Sequence, residues 1–358
     1  MAVHFHSLAV KSIRKETDEC VSISFDIPDN LLPEFTFKEG QNITIKKNIN
    51  GEEIRRSYSI CTAPHEKELR VAVKKVDGGL FSHFANKELK QGDIIEILPP
   101  TGKFNARSSA VGGRYLSFAA GSGITPIISI IKHTLLTQPN SSFTLVYSNK
   151  TRSSIIFFEE LEALKNKYLR RFNLINILSR ERTDADINYG RINTEKIKAL
   201  QSLINYASFN GIYLCGPEEM IFTASEYFQQ LGIPKSTIHF ELFSTPGHFS
   251  GKKTTIEKNS TGQKGKSLVS VKLDGRTIDF SVDYNGKSLL DAALEAGADL
   301  PYACKGGVCA SCRAKLTTGQ VEMVVNYALE EEEVKQGFIL TCQSHPRTEE
   351  VVVDFDIK

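Results

Sequence analysis

The chain has none of the segments that would carry it into or across a membrane. No positively charged leader followed by an apolar stretch opens it. Phe5-His6-Ser7-Leu8-Ala9-Val10 reads instead as a first strand, so secretion is not expected and a cytoplasmic location is. An uncharged run from Tyr115 to Ile131 spans 17 residues, but Gly121, Gly123 and Pro126 interrupt it and it falls short of a membrane span. Internal repeats are absent. Low complexity is confined to Glu330–Glu333, which reads as a solvated helix face rather than a partner contact. The basic, aromatic-interleaved surface of a nucleic-acid binder is missing. So is any carboxylate set with a Glu-x-x-His pair for a di-iron centre, which leaves oxygen activation to another protein.

What is present is ordinary in bulk and uneven in detail. With 358 residues, 41% apolar and 24% charged, the chain is a globular protein too long for one compact domain. Seven cysteines without a secretion signal suit a reducing compartment. The net charge of +2 hides an asymmetry: residues 268–358 hold 9 Lys/Arg against 15 Asp/Glu, and the remainder holds 35 against 27. A basic body suits an anionic dinucleotide and an acidic appendage suits docking, although solubility alone accounts for surface charge equally well.

Residues 1–108 alternate apolar and polar side chains in short runs, clearest in Val21–Phe25, Asn42–Ile45 and Leu69–Val73. With no long helical pattern among them, they predict an antiparallel β-barrel. Residues 109–243 switch to strand, glycine-rich turn and helix. The near-continuous apolar strands Tyr115–Ala119, Phe143–Tyr147, Phe172–Leu178 and Gly211–Cys215 predict a Rossmann-like parallel α/β sheet covered on both faces. Residues 244–267 are rich in Gly, Ser, Thr, Asn and Lys and read as a linker. Residues 268–358 return to alternating strands, then a short helix in which Ser288 and Asp291 form a capping box and Gly297 is the stop.

The chemistry is most legible in four cysteines. Cys304, Cys309 and Cys312 are spaced C-x4-C-x2-C, and Cys342 follows after 29 intervening residues. That is the spacing of a plant-type [2Fe–2S] loop, in which each iron takes two thiolates. Gly306 and Gly307 let the loop wrap tightly. A structural zinc site is the plainer competitor, but zinc knuckles come as two C-x2-C-like pairs.

After the first parallel strand comes Ala120-Gly121-Ser122-Gly123-Ile124-Thr125-Pro126, a turn whose backbone N–H groups and helix N-terminus suit a pyrophosphate. The third glycine of a dinucleotide fingerprint is replaced by Pro126, which a first helical turn tolerates. A NAD site places an acidic residue near the end of the second strand; here Ser148-Asn149-Lys150-Thr151-Arg152 stands there. Ser179 and Arg180 end the third strand and Arg191 lies beyond. These donors favour the 2′-phosphate of NADPH over NADH. In the barrel, Arg56-Ser57-Tyr58-Ser59, Val73-Lys74 and Gly78-Gly79-Leu80-Phe81-Ser82 offer a cation, an aromatic face and donor-rich loops that suit a flavin and its phosphates, or, more plainly, cross-strand packing of Tyr58. Cys215, taken alone, reads as a buried strand cysteine.

In chain order, the R-x-Y-S segment at 56–59, the G-S-G-I-T-P turn at 121–126, Cys215-Gly216-Pro217-Glu218-Glu219-Met220 and Glu241-Leu242-Phe243 resemble the ferredoxin–NADP reductase superfamily over roughly residues 5–243. The cysteine-bearing part resembles a β-grasp plant-type ferredoxin. The order flavin, nucleotide, cluster is that of fused oxygenase reductases. Cys304–Cys309, Val321-Glu322-Met323, Asn326–Leu329, Leu340–Gln343 and Val353–Asp356 make the chain similar to the reductase subunits of ring-1,2-phenylacetyl-CoA epoxidases.

The resemblance implies that Arg56, Ser57, Tyr58 and Ser59 bind FAD, with Ser59 near N5, and that Val73, Lys74, Gly78, Gly79 and Ser82 serve its phosphates. Gly121, Ser122, Gly123, Pro126, Ser179, Arg180, Arg191, Gly216 and Pro217 fall to the nucleotide, and Thr125 lies between flavin and nicotinamide. Ser59, Cys215 and Glu241 become the catalytic neighbourhood. Phe243 takes the place where some relatives stack a terminal tyrosine, yet here the chain continues past it. Ala310 replaces a serine common in ferredoxin loops. The implied activity is NADPH-dependent reduction of FAD, then of the [2Fe–2S] cluster, then of the oxygenase subunits of a multicomponent monooxygenase, nearest to a di-iron phenylacetyl-CoA epoxidase. A reductase for a Rieske-type or other oxygenase shares every motif. A redox-sensing iron–sulfur binding module and a zinc module on a flavoenzyme stay open as other classes.

Overall fold

Strands with one apolar face need a partner surface, and the first third of the chain finds it by closing on itself. In the computed structural model, which describes residues 4–106, 112–243 and 265–357, this part contains β1 (His6–Thr17), β2 (Cys20–Asp26), β3 (Asn42–Ile49), β4 (Glu52–Ser59), β5 (Leu69–Lys74) and β6 (Ile94–Thr101). They lie in the order β4-β3-β6-β1-β2-β5. A bridge between Ile60 and Val71 joins the two edges, so the sheet closes as a barrel around Ile23, Ile43, Ile45, Ile60, Val71 and Ile97, all fully buried. The alternate positions Cys20, Ser22 and Ser24 are also buried. Strict alternation predicts them outside, but Cys20, with Cys61 and Ala72, joins the apolar cluster of the next half of the chain, while Ser22 bonds to Glu16 and Arg70 and Ser24 to Ser12 within the barrel. The barrel also carries an eight-residue helix, α1 (Leu80–Lys87).

The second half runs β7 (Arg114–Ala120), α2 (Ile124–Thr137), β8 (Ser142–Asn149), α3 (Phe158–Lys167), β9 (Phe172–Leu178), α4 (Thr194–Leu200), β10 (Gly211–Gly216), α5 (Glu218–Gln230) and β11 (Ile238–Leu242). The five strands are parallel and ordered β11-β10-β7-β8-β9. Strand order therefore reverses between β7 and β10, and the crevice beyond their carboxyl ends is where such sheets bind ligands. Barrel and parallel sheet together form one compact unit, essentially 6–243, and residues from 265 onward belong to a second.

The second unit pairs β12 (Lys266–Leu273) with β13 (Arg276–Asp283), followed by α6 (Leu289–Glu295), β14 (Arg313–Thr318), β15 (Val321–Met323), α7 (Glu331–Lys335), β16 (Phe338–Leu340), β17 (Ser344–Pro346) and β18 (Glu350–Asp354). Its main sheet is ordered β13-β12-β18-β14-β16, with β12 and β18 parallel. The expected helix cap is present: Ser288 Oγ accepts from the Asp291 N–H at 3.2 Å, and Gly297 follows with a φ of +90°. The linker expected at 244–267 lies outside the described residues up to 264, and β12 already starts at Lys266. One expectation is corrected. Glu333 is not solvated but 5% exposed, because α7 turns it inward onto Arg313 at 3.0 Å.

Candidate active site and metal centre

Parallel pairing sets the first contact. Cys215 on β10 stands opposite Glu241 on β11, at the carboxyl ends of the strands. Ser59 ends barrel strand β4, is 3% exposed, and donates its hydroxyl to Glu241 Oε2 at 2.9 Å. The structure thus brings Ser59, Glu241 and Cys215 into one neighbourhood. The fully buried Cys215 thiol is pushed well above its ordinary range by burial, with the Glu241 carboxylate adding to the effect. It is a neutral thiol at physiological pH, a compact wall rather than a nucleophile.

The two glycines of the 121–126 turn serve different ends. Gly121 has φ +54°, and a Cβ there would find only the Lys74 ammonium, 3.6 Å away. This is open room for a ligand with a cation at its edge. A Cβ on Gly123 would lie 2.1 Å from the Cys215 carbonyl oxygen, so this glycine lets the turn sit on β10. Tyr147 donates its hydroxyl to the Gly121 carbonyl at 2.9 Å, and Thr125, 2% exposed, donates to the Ser122 carbonyl at 3.0 Å. Pro126 is buried in the first turn of α2. Pro217 caps α5, and Gly216 packs against Ala120 and Met220.

On the outer side of this crevice, the Ser179 and Arg180 N–H groups donate to the carbonyls of Asn149 and Lys150 at 2.9 and 2.8 Å. The ends of β8 and β9 are thereby held side by side, with Lys150, Arg180 and Arg191 exposed. Arg152 lies over the Phe158 ring at 4.8 Å. Glu181 is the acidic group nearby, and it accepts from the Arg152 N–H at 2.8 Å.

On the barrel side, the Tyr58 ring is 5.6 Å from Phe81. Ser82 Oγ accepts from the Val76 N–H at 3.1 Å and donates to the Gly79 carbonyl at 3.0 Å, which fixes the turn leading into α1. Gly78 has φ +71° with nothing within 4 Å of a built Cβ. Asn86 donates to the Val73 carbonyl at 3.0 Å. Arg56 donates to the Arg55 carbonyl at 2.8 Å, and Ser57 and Tyr58 are partly exposed. An open glycine turn at a helix start beside a flat ring fits a flavin and its diphosphate. Phe243, 42% exposed, is the last described residue after β11.

The four cysteines form two hydrogen-bonded pairs. Cys309, hydrogen-bonded to Cys304, is held down to about 5, while that same bond pushes Cys304 up. Cys312 and Cys342 repeat the arrangement, Cys312 raised and Cys342 lowered. The Gly306 N–H donates to Cys304 Sγ at 3.3 Å, the Gly307 N–H reaches Cys342, and Ser311 reaches Cys309. Left-handed backbone at Lys305, Gly307 and Ala310 wraps the loop. Among the described residues no group of three or more His, Cys, Asp or Glu side chains is placed around a single ion. Two thiol pairs with N–H donors aimed at sulfur fit two irons better than one zinc.

Residues 7–106 match the oxidoreductase FAD-binding domain, 118–226 the oxidoreductase NAD-binding domain, and 271–347 the 2Fe-2S iron-sulfur cluster binding domain. Over 356 residues the chain is 45% identical to one of the subunits of the 1,2-phenylacetyl-CoA epoxidase of Escherichia coli (strain K12), covering 99% of this chain and 98% of that one. It is 32% identical to the "3-ketosteroid-9-alpha-monooxygenase, ferredoxin reductase component" of Rhodococcus rhodochrous, over 97% and 96% of the two chains. The chain belongs to the oxygenase ferredoxin-reductase family. It is an oxidoreductase with FAD-, NAD- and [2Fe–2S]-binding domains. The solved phthalate dioxygenase reductase shares its fold at 23% identity and a TM-score of 0.59, over 98% of both chains. Among the described residues no helix is long and apolar enough to cross a membrane.

Sequence reasoning missed the polar side chains of α2. Ser129 and Lys132, 0% and 7% exposed, face the barrel. The signal was a charge placed directly after an uncharged run.

Proposed function

We propose that the chain is the NADPH-dependent reductase of a multicomponent monooxygenase whose di-iron partner epoxidises the ring of phenylacetyl-CoA. What carries this reading is the 45% identity, across 99% of the chain, to a component of a 1,2-phenylacetyl-CoA epoxidase. On it, residues 1–108 hold FAD, 109–243 the nucleotide and 268–358 the cluster, with 244–267 as linker, and the protein works in the cytoplasm. Arg56–Ser59, Val73, Lys74 and the Gly78–Ser82 loop would hold FAD. The 121–126 turn, Ser179, Arg180, Arg191, Gly216 and Pro217 would hold NADPH, and the cysteine quartet the irons. Bound FAD and cluster supply the conversion of a hydride pair into single electrons.

The chain's own residues supply alignment. Glu241 accepts a hydrogen bond from the Ser59 hydroxyl at 2.9 Å and so fixes the direction of that hydroxyl. Cys215 keeps the wall beside it uncharged, and Thr125, tied to Ser122, sets the near edge of the turn. Arg180 and Arg191, with no carboxylate ending β8, support NADPH over NADH. The test is reconstitution of the holoprotein with candidate oxygenase subunits, NADPH and phenylacetyl-CoA. Epoxide formed in step with NADPH consumption is expected. Product formation only with a different oxygenase would replace the acceptor, a reading favoured by the relative named for a ketosteroid monooxygenase.

A further inference from the structure

We propose that Lys132 is a positioning residue: through Glu66 it fixes α2, and with it the nucleotide turn, against the barrel segment that begins at Ser59. The inference rests on the reading of 121–126 as the nucleotide turn.

Ser129, Lys132 and His133 lie at i, i+3 and i+4 and so share one face of α2. Each meets the barrel. Ser129 donates to the Thr62 carbonyl at 2.6 Å and accepts from the Gly40 N–H at 3.4 Å. Lys132 Nζ is 2.8 Å from Glu66 Oε2 and 2.8 Å from Glu160 Oε1. His133 is 3.6 Å from Glu39. Glu66 also accepts from the Ala63 N–H at 2.5 Å, so the lysine is anchored to a segment starting soon after Ser59. Glu160, on α3, belongs to the parallel-sheet half. Lys132 therefore carries one arm to each half, while 7% exposed.

The leverage is short. Lys132 stands seven residues along α2 from Thr125, about 10 Å at 1.5 Å per residue, and a helix transmits displacement without bending over that span. Next to it, a cleft of about 850 Å³ lined by Arg70, Lys132, Phe157 and Glu160 leaves part of the boundary between the halves unpacked. Ser59, Cys215 and Glu241 do not line it. Beside the apolar cluster that already joins Cys20, Cys61 and Ala72 to α2, polar contacts set the spacing across this gap. Misplacing reacting groups by 1 Å costs on the order of 10²-fold in rate.

The two arms separate a positioning role from a merely structural one. In Glu66→Gln, Lys132 keeps Glu160 and Ser129 keeps the Thr62 carbonyl, so the fold is expected to persist while the barrel arm loses its charge. Glu160→Gln removes the other arm. Two readouts serve. One is amide hydrogen exchange at 121–125 in protein stripped of FAD. The other is the anaerobic rate of flavin reduction by NADPH in the loaded protein, with KM and FAD content. Glu66→Gln is expected to raise exchange in the turn at least threefold and to slow reduction at least tenfold, with KM within threefold and FAD content unchanged. Glu160→Gln is expected to move neither by more than twofold, and Lys132→Arg to stay within threefold of wild type. Glu160→Gln matching or exceeding Glu66→Gln, or Glu66→Gln leaving both readouts at wild-type values, overturns the proposal. A wild-type protein that binds no FAD would instead sink the functional reading, since the exchange measurement needs no cofactor.

Discussion

Ser59 and Glu241 are 182 residues apart in the chain and 2.9 Å apart in space. One ends a barrel strand and the other sits on the edge strand of the parallel sheet, so their hydrogen bond exists only when both halves are docked. Replacing Ser59 with alanine should slow flavin reduction by NADPH about 100-fold, the low end for a positioned hydrogen-bonding side chain. FAD content should fall far less than the rate, since Arg56, Tyr58 and the Gly78–Ser82 loop would still hold it. Stopped-flow absorbance at the flavin band measures this, and an unchanged rate would remove Ser59 from the site.

Cys215 offers a contrast in pH. Its thiol is raised well above the ordinary range by burial, so no thiolate forms between pH 6 and 9. The rate of flavin reduction should carry no inflection from this group, and Cys215→Ser should leave the shape of the pH profile unchanged. A profile whose alkaline limb disappears in the serine variant would contradict this.

Gly123→Ala should be severe. Its new Cβ meets the Cys215 carbonyl oxygen at 2.1 Å, and backbone cannot swing aside as a side chain does. We expect a loss of about 3 kcal/mol or more, at the upper end of overpacking, with weakened NADPH binding. Gly78→Ala has no such neighbour and carries only the cost of its left-handed φ, so thermal melts of the two variants should differ clearly.

Acid stability should depend on Glu68. Two hydrogen bonds from the buried Arg70 guanidinium, at 2.9 and 2.6 Å, hold its carboxyl below the ordinary 4.5. A depressed folded value means the stabilisation is complete above about pH 4.5 and is lost as pH falls through the lower folded value. Melting temperatures between pH 3 and 7 should show an acid decline that is smaller in Glu68→Gln, whose stability is already reduced at neutrality.

Serine in place of any one of Cys304, Cys309, Cys312 or Cys342 should abolish the [2Fe–2S] electron paramagnetic resonance signal. Flavin reduction by NADPH should stay within about twofold of wild type, since the residues proposed for the nucleotide and most of those proposed for the flavin lie in the other unit. Loss of both activities together would count against independent roles.

The parts legible in sequence are those with local rules. The Cys304–Cys312 triplet, the Ser288 cap and the alternating strands each follow from neighbours a few residues away, and Cys342 from a fixed spacing beyond the triplet. Three features escaped for physical reasons. Helix α1 is only eight residues long, too short for its periodicity to stand out from the loops around it. Ser22 and Ser24 look like solvent positions but are buried among barrel side chains, Ser22 bonded to Glu16 and Arg70 and Ser24 to Ser12. Glu333 reads as a surface charge and Lys132 attracts no reading at all, because their partners, Arg313 for one and Glu66 and Glu160 for the other, come from distant segments. Spacing placed Ser59 and Glu241 in separate motifs, and only the docking of two sheets makes them neighbours.

The parallel pairing of β12 with β18 has a consequence for biosynthesis. The ribosome makes β12 first, yet its central neighbour comes after Cys342, and Cys312 must wait for Cys342 as its partner. Neither the sheet nor the second thiol pair can exist on a nascent chain that stops short of them. A cluster that needs all four thiolates can therefore close only once translation has passed Cys342, so a chain truncated before that residue should lack it.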